Sequence, residues 1–248
     1  MKQLLLLVLV AGLYLSCSKD ASNGVKTTTG SGGSMARFTI VNNYLYSVDK
    51  QNLNVFNISD AANPQKVKTI PVGFEIETIF PFKDKLFIGS TSVVHIFSLD
   101  MPDNPVKLSE AISPTVMRRC DPVVAKDTVA YATLRTNEAC GGGIQSILAV
   151  YNIKDVTKPV QVDSYNLSEP LGLGYQDSAL YVCDAQKGLV VFNISKAYNP
   201  VFKTAIVNGQ SFIDVIPYND LLICWTKSGM SVYNITNRFQ PILLSSIN

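Results

Sequence analysis

Ala179-Leu180-Tyr181-Val182-Cys183-Asp184, then Gly188-Leu189-Val190-Val191-Phe192-Asn193-Ile194-Ser195 and the turn Asn199-Pro200, is the stretch that decides the fold. It reads as two short apolar strands joined by a tight connection, with a turn and a proline behind them. The runs are too short, and too rich in β-branched residues, for amphipathic helices.

Working outward, the tripeptide Phe192-Asn193-Ile194 recurs as Phe56-Asn57-Ile58, Phe97-Ser98-Leu99, Tyr151-Asn152-Ile153 and Tyr233-Asn234-Ile235. Each precedes a proline, at Pro64, Pro105, Pro159, Pro200 and Pro241, and the middle residue is always seven positions before it. Successive prolines are 41, 54, 41 and 41 residues apart, so a repeat of about 41 residues occurs five times and the third copy carries 13 extra residues. Each copy contains four short apolar runs. Four strands per repeat of ~40 residues is the period of a propeller blade, a sheet that buries its faces by stacking on neighbours. The sequence therefore predicts an all-β, five-bladed β-propeller over 36–248, with repeats at about 36–73, 74–114, 115–169, 170–209 and 210–248, closed into a ring of five.

The strand pair 179–195 with its Asn199-Pro200 turn resembles the LVIVD repeat family of bacterial propeller proteins, and the resemblance extends over roughly 36–248. Copies two and five depart from the pattern, at Ser98 and Met101-Pro102-Asp103 and at Cys224-Trp225-Thr226. The resemblance implies an extracytoplasmic propeller and brings no established catalytic activity.

Ahead of the repeats, Lys2 and the apolar run Leu4 to Leu15 read as a secretory signal, since about 20 apolar residues are needed to span a bilayer. Tyr14-Leu15-Ser16-Cys17 resembles a lipobox, which makes 1–16 a lipoprotein signal peptide and Cys17 the lipidated (palmitate-bearing) residue. Residues 17–35, rich in Ser, Gly and Thr, read as a flexible tether. The expected address is the bacterial cell envelope, as an outer-membrane lipoprotein facing either the periplasm or the exterior. Ser18-Lys19-Asp20 resembles the short signals of surface-displayed lipoproteins. Loss of Lys2 leaves 20 basic against 19 acidic residues, a near-neutral balance that argues against a nucleic-acid partner.

In propellers, loops before first strands and loops between second and third strands open on one rim. The third copy gathers its peculiarities there: Arg118, Arg119, Cys120 and Asp121 before its first strand, Arg135 and Cys140 in its enlarged loop. Cys120 and Cys140 are expected to form a disulfide in an oxidising compartment. Cys183 and Cys224 read as buried thiols in second strands. Asp121, Asp214 and Glu77 open the third, fifth and second first strands in comparable ways. With Arg118, Arg119 and Arg135 they form the candidate binding rim, suited to a carboxylate or an acidic glycan. The same carboxylates are also the residue type that caps strand ends. No Cys-x-x-Cys occurs and the single histidine, His95, lies mid-strand, so neither a metal site nor any cofactor is expected. Asp127-Thr128-Val129 and Asp177-Ser178-Ala179 resemble bacterial O-glycosylation acceptors, although Asp and Ser are also ordinary turn residues.

The functional expectation is a non-catalytic, envelope-anchored binding or scaffold module for a glycan, peptide or envelope protein. The alternative is a glycoside hydrolase working through the channel-mouth carboxylates, which requires one pair at about 5.5 Å or 6.5–9.5 Å. A serine hydrolase is disfavoured, because no Gly-x-Ser-x-Gly occurs.

Overall fold

The computed structural model describes residues 32–91, 93–113, 122–136 and 145–247. They form twenty strands in five antiparallel sheets of four, and each sheet is one sequence repeat. The first holds β1 (Phe38–Val41), β2 (Tyr44–Val48), β3 (Asn52–Asn57) and β4 (Gln65–Pro71). The second holds β5 (Ile76–Phe82), β6 (Lys85–Ser90), β7 (Val93–Ser98) and β8 (Val106–Ile112). The third holds β9 (Val123–Lys126), β10 (Val129–Leu134), β11 (Ser146–Asn152) and β12 (Val160–Leu167). The fourth holds β13 (Pro170–Gln176), β14 (Ala179–Asp184), β15 (Gly188–Asn193) and β16 (Val201–Ile206). The fifth holds β17 (Phe212–Tyr218), β18 (Leu221–Thr226), β19 (Gly229–Asn234) and β20 (Ile242–Ile247). The five-bladed, all-β reading holds.

The recurrent tripeptide has a local cause. Its middle side chain turns back onto the amide two residues on, at 2.9 Å from Asn57 to Ser59, 2.9 Å from Asn152 to Lys154, 2.8 Å from Asn193 to Ser195 and 2.8 Å from Asn234 to Thr236. Ser98 does the same for Asp100 with its hydroxyl. These turns end the third strand and direct the chain toward the proline that opens the fourth. The bulge between third and fourth strands recurs in every sheet, as at Val191/Phe192.

Sheets are tied to their successors by buried tyrosines on the second strand. Tyr46 donates to the Pro102 carbonyl (2.7 Å), Tyr131 to Ala197 (2.7 Å) and Tyr181 to Arg238 (2.8 Å), each on the following sheet. A buried tyrosine needs such an acceptor, so the bond fixes each sheet against the next. In the second sheet the place is taken by Phe87, and Ser109 reaches the Val156 carbonyl instead.

Among the described residues the expected closed ring is not formed. The first and fifth sheets share no packing comparable to that between consecutive sheets. Phe38 (62% exposed) and Ile40 stand open on the first sheet, and Leu221, Trp225 (56%), Met230 and Ile247 on the fifth. In β18 Ile223 stands at the place of the latching tyrosine, so the fifth sheet, like the second with Phe87, carries no tyrosine hydroxyl there.

The boundary expected at residue 36 also moves. Gly33 and Ser34, placed in the tether by composition, are buried in the central channel. Ser34 Oγ accepts from the Leu173 amide of β13 (2.7 Å) and donates to Asp214 of β17 (3.2 Å), while the Ala36 carbonyl accepts from the Ile79 amide of β5 (2.9 Å). This segment divides the channel. Gly32 lines one cavity with Phe80, Tyr175 and Pro217, and Met35 lines another at the mouth where first strands begin.

Candidate functional site

The upper cavity, about 210 Å³, is lined by Met35, Arg37, Glu77, Thr78, Pro122, Arg135, Pro170 and Leu171. Arg37 lies directly before β1, Glu77 is the second residue of β5, Pro170 starts β13, and Arg135 follows β10. Loops before first strands and after second strands thus do share one mouth.

Two guanidinium groups face this space. Arg37 Nη2 donates to the Ile76 carbonyl (3.2 Å), and among the described residues no carboxylate lies within 4 Å of it. Among the described residues Arg135 has one carboxylate at the edge of ion-pair range, Glu169 at 3.9 Å, and its buried Nε has no hydrogen-bond partner. Between them sits half-buried Glu77. Burial raises its pKa, against the opposing pull of Arg135 and Arg37 and with a small further rise from Glu75.

Asp214 is elsewhere. It is buried, accepting from Ser34 Oγ (3.2 Å), Met35 N (3.2 Å) and its neighbour Val215 N (3.0 Å). It fits a niche whose walls are Gly33 and Gly172, where a Cβ at either would collide with the carboxylate. Burial pushes its pKa up to about 6 despite these donors. Asp214 and Glu77 are therefore not comparable, as the sequence reading had them. In β17 the pairing with β18 slips between Phe212 and Asp214, leaving Ile213 as the bulged residue. In β5 the same slip falls between Ile76 and Thr78, so the bulged residue is Glu77 itself. Asp214 is the counterpart of Thr78, and one position along a strand reverses the side a residue faces.

Of the predicted rim, Glu77 and Arg135 meet in the cavity and Asp214 is withdrawn behind Met35. Arg118, Arg119 and Asp121 lie outside the described residues, as do Cys17 and the predicted Cys120–Cys140 pair. Arg37, Ser34 and Glu169 were not anticipated. Applying the pre-strand rule to the first copy would have found Arg37.

Cys183 and Cys224 are free, buried thiols in β14 and β18, as expected. His95 is buried in β7, with Nδ1 3.2 Å from Glu110 and a pKa pushed down to about 4, chiefly by burial. It is not among the cavity residues. Asp127 and Asp177 adopt left-handed φ values of 53° and 52°, which gives them a turn role, and the Thr128 hydroxyl is paired with Tyr198 at 2.8 Å. Among the described residues no cluster of three or more His, Cys, Asp or Glu could hold a metal ion, and no helix is long and apolar enough to cross a membrane.

No family model matches the sequence, and no curated protein matches it. Solved structures do resemble the fold. The computationally designed Ika8 protein superposes with a TM-score of 0.61 at 11% identity, covering 85% of this chain and 60% of its own. The periplasmic gluconolactonase PpgL of Pseudomonas aeruginosa gives 0.62 at 13%, covering 85% and 67%. A protein from Lactobacillus plantarum gives 0.64 at 13%, covering 84% and 73%. The chain thus spans about 60 to 73% of the length of these propeller-like structures. At such identities the likeness concerns the fold alone.

Proposed function

We propose that this chain is a non-catalytic binding propeller of the LVIVD type, anchored to the bacterial envelope through a lipid on Cys17, which takes its ligand at the upper channel mouth. The observation that carries the reading is the contrast between the two described carboxylates. Glu77 faces two arginines across an open cavity, whereas Asp214 is enclosed by Ser34, Met35 and Val215. Glycoside hydrolysis needs two carboxyl groups presented to one substrate. Arginines with unsatisfied donors suit recognition.

The test is turnover. Purified full chain is offered p-nitrophenyl glycosides and, because one structure of similar fold is a gluconolactonase, glucono-δ-lactone. No turnover above the uncatalysed rate is expected. Turnover that Glu77→Gln abolishes would replace this reading by an enzyme. Anchoring is checked separately by labelling cells with radioactive palmitate, with incorporation expected in the wild type and none in Cys17→Ala.

A further inference from the structure

We infer that the upper cavity is built for the carboxylate of a sugar acid, seated between Arg37 and Arg135 with Glu77 receiving its hydroxyls. The inference rests on the binding reading above and names the ligand class for the same site.

Three features converge. The first is Arg135, a wall residue of the cavity whose buried Nε has no hydrogen-bond partner among the described residues. Its Nη1 meets Glu169 only at 3.9 Å, longer than a charge-assisted hydrogen bond. A planar guanidinium can present its two Nη groups as a fork matching two carboxylate oxygens. The second is Arg37, which lines the same space with only a backbone carbonyl as its partner at Nη2. The third is Glu77, an acceptor that touches neither guanidinium within ion-pair distance. Two cations and one acceptor, held apart around a cavity, match a carboxylate that carries hydroxyls beside it.

Size and lining narrow the class. A cavity of about 210 Å³ lies below the ~300–1,000 Å³ of pockets that hold drug-sized molecules, so it admits one sugar-acid unit, free or at the end of a glycan. Met35, Pro122, Pro170 and Leu171 supply aliphatic surface for the C–H faces of the ring.

Charge balance adds a signature. An incoming carboxylate sets a further negative charge beside Glu77 in the cavity, a repulsion that adds to that of Glu75. Proton uptake by Glu77, already favoured by burial and by Glu75 and opposed by Arg37 and Arg135, relieves it. Affinity should therefore rise as pH falls from 7 to 5.

The experiment is calorimetric titration of the full chain with glucuronate, gluconate, glucose and inorganic phosphate. At least one of the two acids is expected to bind, with glucose and phosphate at least tenfold weaker. Arg135→Gln and Arg37→Gln should each weaken acid binding tenfold or more. Arg135→Lys, which keeps charge and bulk, should still lose most of the affinity because the fork is gone. Glu77→Gln should bind as well as wild type or better, with its pH dependence flattened. Equal binding of glucose or phosphate, indifference to both arginine substitutions, or no binding of either acid would each overturn the inference. Turnover of any probe would instead overturn the non-catalytic reading, so the two fail separately. Terminal and free acids are told apart by comparing glucuronate with an oligosaccharide ending in it.

Discussion

The second, third and fourth sheets and the two that flank them carry one repeat pattern but meet different surroundings. In β10 and β14 every residue is buried, and in β6 all but Lys85. In β2 and β18 burial alternates, with Tyr46 and Val48 or Leu222, Cys224 and Thr226 inside and their neighbours half-buried or exposed. Ala130-Tyr131-Ala132-Thr133-Leu134 and Leu180-Tyr181-Val182-Cys183 are near-continuous apolar runs, as strands covered on both faces require, and the first sheet places Ser47 on its open side, but β18 of the fifth sheet, Leu221-Leu222-Ile223-Cys224-Trp225, is equally apolar with one face open. A propeller blade is therefore not a unit of stability. It becomes one only when a neighbour covers each face.

The largest expected effect tests that directly. Leu180→Ala, at a site with no exposed surface between the third and fourth sheets, should cost about 2–5 kcal/mol in urea unfolding, because the cavity it leaves cannot collapse. A cost below about 1 kcal/mol would mean that the inter-sheet packing is looser than described.

Next in size is Asp214, which couples the fifth sheet to the channel segment. Its pKa is raised from 3.8 to about 6, so the native state holds the proton more tightly than the unfolded chain. Its contribution is fully present below about pH 4, declines as pH rises through 6, and is lost above. That spans on the order of 3 kcal/mol by linkage. Asp214→Asn removes the titration, so the stability difference between variant and wild type should shift in the variant's favour by that order between pH 4 and 7. A difference that stays constant with pH would show that the carboxylate is not enclosed.

The tyrosine latches separate the two groups of sheets more finely. Tyr181→Phe removes the bond to the Arg238 carbonyl and should cost about 1 kcal/mol, with the ring's packing kept. The reverse change, Ile223→Tyr on the fifth sheet, should leave urea stability within about 0.5 kcal/mol, since among the described residues no sheet on that face offers it a carbonyl.

How much of this was legible follows from period. The tripeptide, its proline and four apolar runs per ~41 residues are local signals, and they were enough for five sheets of four strands. Ring closure is not local. It depends on whether two distant faces meet, and no local signal carries that: Ile223 lacks the tyrosine hydroxyl, but so does Phe87 of the second sheet, which packs on the third all the same. At the site, Arg135 and Glu77 were found from loop position. Asp214 was misplaced because a bulge shifts β5 and β17 alike, so residues that look equivalent by counting from the strand start differ by one position and by side. Ser34 was hidden by composition: Gly32-Gly33-Ser34 resembles a linker, and the small residues that make it so are what let the chain enter a narrow channel and pass close to Asp214.

The smallest expected effect is on the open side of the fifth sheet. Trp225 is 56% exposed and pairs across strands with Met230, itself paired with Ile247, so these three form an apolar row in solvent. Replacing a half-exposed side chain removes little buried area, and Trp225→Ser should change unfolding free energy by no more than about 0.5 kcal/mol. Leu180→Ala in the same assay supplies the scale. A Trp225→Ser cost that approaches it would mean the face is covered in solution, and the contrast between inner and flanking sheets would dissolve. A null effect, together with a wild-type indole that acrylamide quenches at a substantial fraction of the rate for free tryptophan, would show that this face of the fifth sheet stands in water.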